Sequence, residues 1–321
     1  MNKKMILVVN IIISEGSMTK YVFMDGKYVE KEKAVIPVMT HGFLYGTSIF
    51  EGIRAYYNPE EKQMYAFRVP EHFERLKTSG KIVRIGVDYS VDELCAITKT
   101  LLQKNKYEQD AYIRPTAYKS AEKIGTHLLD NPDSLMIFTT EMGDYIDISK
   151  GLRVCVSNWR RTSDNAIPPR AKIGGGYVNA ALIATDARLA GFDEAIALTE
   201  SGEVTEGSAM NLFLVMDGKL ITSKTTDNIL KGITRDTIMC LAADMGIEVV
   251  ERAIDRTELY VADEAFFCGT GAQVSPIVNI DDRLLGDGKV GPIATELQKL
   301  YFDVVKGRVP KYKKWCMPIY D

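Results

Sequence analysis

Thr205-Glu206-Gly207-Ser208-Ala209-Met210-Asn211-Leu212-Phe213 sets a carboxylate in a polar turn just ahead of an apolar run. That run reads as a strand from Met210 to Val215, and Lys219–Ile221 reads as another. An acid in a turn is ordinarily solvated, so the chemistry rests on what surrounds it. Upstream lies Ala171-Lys172-Ile173-Gly174-Gly175-Gly176-Tyr177. A lysine among small and apolar residues is easily desolvated, which favours its neutral, nucleophilic amine. The glycines let the backbone come close to a flat ligand. Taken alone, the segment also fits a surface lysine beside a flexible turn. Downstream, Gly232-Ile233-Thr234-Arg235 opens a helix, and Gly269-Thr270-Gly271-Ala272 forms a second turn. Phosphate groups need such backbone N–H donors with hydroxyl and guanidinium support, and Arg68, just after a strand, offers the charge. Each of these features alone equally fits a helix cap, a turn or a surface arginine.

Residues 21–57 read as short strands, with a hairpin signal at Met24-Asp25-Gly26-Lys27. Residues 70–84 and 90–106 have helical periodicity; Pro70 suits a first helical position, and Ser90 with Glu93 forms a capping box. Strands are expected at Ala111–Ala117, Leu135–Thr140, Leu152–Asn158, Glu194–Thr199 and Glu264–Cys268. Helices are expected at about 177–190, closed by Gly191, and 234–245, closed by Gly246, with a short one before Glu264. Strands and helices mix without regular alternation, which predicts an α+β architecture. No G-x-S-x-G, Walker A or full G-x-G-x-x-G occurs, so serine-hydrolase, P-loop and dinucleotide-binding readings are set aside.

In order and spacing these residues resemble the class IV aminotransferases, whose pattern is E-x-S-x-x-N-L-F, then L-x-T, then L-x-G-I-x-R. Here it reads Glu206–Phe213, then Leu220-Ile221-Thr222, then Leu230-Lys231-Gly232-Ile233-Thr234-Arg235. The resemblance runs from about Asp25 to about Pro292. It implies a fold type IV enzyme using pyridoxal 5'-phosphate, with Lys172 as the cofactor-bearing lysine and proton carrier. It implies Glu206 against the pyridine nitrogen, Tyr177 at the phenolic oxygen and Leu230 on the ring face. Arg68, Gly232, Ile233, Thr234 and Thr270 would grip the phosphate.

His41–Arg54 and Ala111-Tyr112-Ile113-Arg114-Pro115 are similar to the branched-chain subgroup. There Tyr45, Phe50, Tyr112 and Tyr177 would wall an apolar pocket, with Gly271 and Ala272 in the turn that reads the substrate carboxylate. Arg114 would meet the second carboxylate of glutamate. The implied reaction is transamination of L-leucine, L-isoleucine and L-valine with 2-oxoglutarate. D-amino-acid or (R)-amine transamination, or aminodeoxychorismate lysis, are the alternatives on the same scaffold. Met210, Gly271 and Gln273 depart from the subgroup's commoner glutamate, alanine and glutamate. The resemblance further implies a smaller α/β domain over 18–140, a linker at 141–149 and a larger domain with a pseudo-barrel sheet over 150–321. It also implies a homodimer or higher homo-oligomer.

The composition agrees with a globular enzyme: 321 residues, 46% hydrophobic, 26% charged and net charge -3. Nothing there calls for a nucleic acid or an anionic membrane as partner. Five cysteines without a C-x-x-C motif suit a reducing compartment, and cytoplasmic placement is expected. His41, His72 and His127 lack metal spacing, so no metal site is expected. Lys3, Lys4 and the apolar Met5–Ile13 resemble a short signal peptide, but no A-x-A site follows and Met18 reads as an ordinary start. Residues 1–17 are therefore taken as an N-terminal extension.

Overall fold

The computed structural model describes residues 19–143 and 150–321. The expected extension 1–17 and most of the expected linker lie outside them. The chain opens with β1 (Tyr21–Met24) and β2 (Lys27–Glu30), an antiparallel pair. Asp25 and Gly26 both take positive φ, 48° and 81°, the conformation a two-residue hairpin of this twist requires. The single-turn helix α1 (His41–Tyr45) leads to β3 (Ser48–Phe50), β4 (Ile53–Asn58) and β5 (Gln63–Phe67). Two longer helices follow, α2 (Val69–Val83) and α3 (Val91–Asn105). The Ser90–Glu93 capping box forms as expected at the start of α3. β6 (Ala111–Lys119) and β7 (Asp133–Glu141) complete this part, and Leu76, Leu94, Leu101 and Leu102 of the helices pack on Ile53, Ile113 and Ile137 of the sheet.

The second part begins with β8 (Leu152–Arg160), two residues longer than expected. Helix α4 (Tyr177–Leu189) ends before Gly191, whose φ of 85° suits the left-handed position after a helix. Strands β9 (Glu194–Leu198), β10 (Val204–Gly207), β11 (Asn211–Met216) and β12 (Lys219–Thr222) follow. Then come α5 (Ile233–Asp244), β13 (Val249–Glu251), β14 (Glu264–Gly269), β15 (Gln273–Ile280), β16 (Arg283–Leu284) and α6 (Pro292–Val305). The short helix expected before Glu264 is a 3-10 turn, Arg256–Tyr260, opened by an Asp255–Glu258 capping box. These strands form one mixed sheet in the order β10-β9-β8-β15-β14-β11-β12-β13, with β16 beside β15. It curls into a half-barrel, and with the helices packed on it the chain is α+β as expected.

The chain does not end on that sheet. A last strand, β17 (Cys316–Pro318), pairs antiparallel with β5 and so extends the first sheet, whose order is β17-β5-β4-β6-β7-β1-β2 with β3 beside β6. One apolar cluster joins the two parts: Tyr56, Tyr65 and Phe67 of the first sheet pack with Phe213 and Phe266 of the second and Leu297 and Tyr301 of α6. The sheets therefore meet along a seam, and strand ends from both converge on a cavity.

Candidate active site

The cavity has a volume of about 660 Å3, within the range of small-molecule sites. Its wall brings together Phe50, Tyr112, Arg114, Lys172, Tyr177, Glu206, Leu230, Gly232, Ile233, Thr234, Thr270 and Gly271, all expected from the sequence. Glu141, Met142 and Gly143, from the start of the expected linker, also line it.

Lys172 sits on a loop docked against the first sheet. Its carbonyl accepts from the Phe50 N–H at 3.0 Å, and its own N–H donates to Ser79 Oγ at 3.1 Å. The glycines that follow serve this docking. A Cβ on Gly174 would lie 2.3 Å from Ser48 Oγ, and one on Gly175 would lie 3.1 Å from the Gly46 carbonyl oxygen. The close approach of these glycines is thus to neighbouring residues of the protein, because the lysine loop seats on residues 46–48. Nζ of Lys172 donates to Tyr177 Oη at 2.5 Å and lies 5.0 Å from the Phe50 ring centroid. Phe50 and Tyr177 meet edge to face at 4.7 Å, which fixes both rings around the amine.

Glu206 lies in β10, lines the same cavity and is 2% exposed. Its Oε1 accepts from Arg161 at 2.7 Å; its Oε2 accepts from Asn211 Nδ2 at 2.9 Å and from the Leu230 N–H at 3.3 Å. Burial pushes this carboxyl above the usual range, and Arg161 is foremost in opposing the shift. Asn211 also donates to the Leu230 carbonyl at 3.0 Å, tying the acid to the turn that opens α5. At that turn a Cβ on Gly232 would come within 2.0 Å of Asn211 Oδ1, so only glycine fits. The first residues of α5, Ile233 and Thr234, then face the cavity at the helix's positive end.

Arg114 lies over the Phe50 ring at 4.3 Å and donates to Tyr112 Oη at 2.9 and 2.6 Å. This puts a cation on an aromatic wall. Arg54, 2% exposed, donates to the Met142 and Gly143 carbonyls at 2.9 and 2.7 Å and approaches the Gly271 carbonyl at 3.5 Å.

Three expected residues stand apart from this wall. Arg68 turns to α5, pairing with Asp236 at 2.7 Å and Glu71 at 2.8 Å, with Trp315 beneath it. Tyr45 is 38% exposed, packs against His41 and accepts from the Gly125 N–H at 3.2 Å. Ala272 is buried behind the turn, its carbonyl accepting from Ser275 Oγ. Reasoning from the sequence missed Arg75, Arg161 and Asn211. Arg75 belongs to a face of α2, with His72 and Ser79, that helical spacing could have revealed. Asn211 lay in the quoted motif, whereas Arg161 gave no local signal.

The family model for amino-transferase class IV matches residues 48–280. The chain belongs to the class IV aminotransferases. A probable branched-chain-amino-acid aminotransferase of Aquifex aeolicus is 47% identical to this aminotransferase, over 94% of the chain and 97% of the relative. Among solved structures, the branched-chain aminotransferase of Thermoproteus uzoniensis with norvaline superposes with a TM-score of 0.90 at 40% identity, covering 95% of this chain and 100% of that one. The PLP-form enzyme of Thermobaculum terrenum gives 0.91 at 37% identity, covering 94% and 99%. The match includes both walls of the aminotransferase cavity, from Phe50 to Gly271.

Proposed function

We propose that this chain is a pyridoxal-phosphate-dependent branched-chain-amino-acid transaminase. It passes the amino group of L-leucine, L-isoleucine or L-valine to 2-oxoglutarate. The observation that carries the reading is one cavity lined by Lys172, by a buried Glu206 and by the rings of Phe50, Tyr112 and Tyr177. The residues fit the cofactor. Lys172 is the one lysine on the cavity wall among the described residues, and the α5 N-terminus with its obligatory Gly232 suits a phosphate. When bound, pyridoxal phosphate supplies an electron sink for the pair left on a substrate carbon after its proton departs. Lys172 Nζ takes that proton and returns it, acting as base and then acid. Tyr177 Oη orients the amine, and Glu206 receives the ring nitrogen's N–H. Gly232, Ile233, Thr234 and Thr270 would hold the phosphate, and Leu230 would pack on the ring.

Phe50, Tyr112 and Tyr177 offer an apolar surface to a branched side chain, while Arg114 among them receives the distal carboxylate of glutamate. Gly271 and Ala272 read the α-carboxylate through backbone N–H groups. Arg68 reaches the phosphate by exchanging its Asp236 pairing for the anion. Tyr45 belongs to this reading through a second copy of the chain. Val35, Val38, Phe43, Ile124 and Leu129, 71%, 79%, 69%, 83% and 62% exposed, include its close sequence neighbours and support a homodimer. Residues 18–140 make up the small domain, 141–149 the linker and 150–321 the large domain, whose β17 pairs with β5. Cytoplasmic placement is part of the same reading.

The test is the visible spectrum of the protein loaded with the cofactor. Addition of L-leucine or L-glutamate, singly, should bleach the yellow band, and D-alanine should leave it. Bleaching by D-alanine alone would move the substrate to the D-series. A protein that takes up no cofactor would remove the whole reading.

A further inference from the structure

The cofactor reading says that Glu206 meets the ring nitrogen; the geometry around the acid says which oxygen does so and what keeps it charged. Oε2 already accepts from two donors, Asn211 Nδ2 at 2.9 Å and the Leu230 N–H at 3.3 Å. Oε1 accepts from one, Arg161 Nη2 at 2.7 Å. A carboxylate oxygen has two lone pairs in its plane, so Oε1 is the oxygen with room for another donor. Arg161 follows the end of β8, where its N–H donates to the Leu198 carbonyl at 2.9 Å. Its side chain is 11% exposed, and among the described residues Glu206 is its sole ion-pair partner. The guanidinium is thus spent on this one carboxylate, at the oxygen that Asn211 and Leu230 do not use.

We propose that Arg161 is a positioning residue for Glu206: it occupies one lone pair of Oε1 and keeps the acid ionised, so that the proton shared with a bound pyridine ring stays on the ring nitrogen. The proposal rests on the cofactor reading above. A fully buried acid next to a pyridine has two ways to be neutral overall. The proton can sit on nitrogen, giving an ion pair, or on the acid, giving two uncharged groups. A low-dielectric site favours the uncharged arrangement. A cation 2.7 Å from the carboxylate, and farther from the ring, reverses that preference because it stabilises the near anion more than it repels the distant cation. Lys172 and Arg75 act on Glu206 in the same sense from longer range. With Arg161 neutralised, the upward push of burial loses its foremost opponent and the proton moves to the carboxyl.

The experiment is 15N NMR of the protein loaded with pyridoxal phosphate labelled at the ring nitrogen. Wild type should give a protonated-pyridine shift. Arg161→Gln should move the signal to the neutral-pyridine region and lower kcat roughly ten- to a hundredfold, with KM for L-leucine little changed. Arg161→Lys, which keeps a charge, should restore the protonated shift even if Arg161→Gln proves too unstable to load. A protonated shift in Arg161→Gln, or a neutral one in Arg161→Lys, would overturn the proposal while leaving the cofactor reading intact. Wild type that binds no label would overturn both.

Discussion

Glu51 is the acid whose removal should cost the fold most visibly. It follows Phe50, is fully buried, and takes both hydrogen bonds of a forked contact from Arg75, Nε to Oε1 at 2.8 Å and Nη2 to Oε2 at 2.6 Å. His72 Nδ1 adds a contact to Oε2 at 2.8 Å, and because a carboxylate only accepts, Nδ1 carries the proton. Arg75 then reaches the Lys231 carbonyl at 2.8 Å, just ahead of the turn that opens α5. Burial would push the Glu51 carboxyl up; Arg75 above all, and then His72, outweigh it and hold the pKa at about 2 instead of 4.5. The depressed value means that the unfolded chain binds a proton more readily than the folded one. The stabilisation is fully present above about pH 5 and fades as pH falls toward 2. A displacement from 4.5 to about 2 corresponds to about 3 kcal/mol. Glu51→Gln removes it and leaves Arg75 buried without its counter-charge, so a loss of about 3 kcal/mol or more is expected near neutrality. Urea unfolding of both proteins, followed by intrinsic fluorescence at one protein concentration, measures the gap. It should shrink to about half or less of its neutral value near about pH 3. A gap that stayed constant over that range, or one below about 1 kcal/mol near neutrality, would refute the reasoning.

Other outcomes follow from the cavity wall. Tyr177→Phe keeps the edge-to-face ring contact with Phe50 and deletes the hydroxyl that Lys172 Nζ donates to. Steady-state kinetics should show kcat down about tenfold or more at an unchanged melting temperature, and an unaltered kcat would remove the hydroxyl from the chemistry. Gly232→Ala must displace Asn211, whose Oδ1 lies 2.0 Å from the new Cβ, and with it a hydrogen bond to Glu206. Fluorescence titration should show cofactor affinity weakened about tenfold or more; equal affinity would mean the turn yields freely. Arg114→Gln should raise KM for L-glutamate about tenfold or more and leave that for L-leucine within a few-fold. Equal changes for both donors would place the distal carboxylate elsewhere.

Much of this was legible in the chain itself. The hairpin at Asp25-Gly26, the Ser90–Glu93 cap and the glycines closing α4 and α5 are local matters of φ preference and hydrogen-bond reach, and they formed where expected. The motif from Glu206 to Arg235 is likewise local, because β10, β11 and the turn before α5 are close in sequence and in space.

What the order of residues could not determine is how distant segments neutralise one another. Arg161 and Glu206 are paired only because β8, β9 and β10 lie side by side in one sheet, and Arg75 and Glu51 only because α2 packs on β3; each acid is buried there, where a lone charge cannot persist. Arg68 was expected at the phosphate grip; its guanidinium pairs with Glu71, three residues on, and with Asp236, which no spacing announces. The close of the chain follows the same logic. Cys316–Pro318 has no local reason to join the first sheet; it does so because β5 offers an open edge and Tyr301 and Tyr312 bury against Phe67 and Tyr65. Sequence determined the elements and the family to which their motifs belong. The tertiary structure decided which charges are buried together, since that depends on a dielectric environment that exists only once the elements have packed.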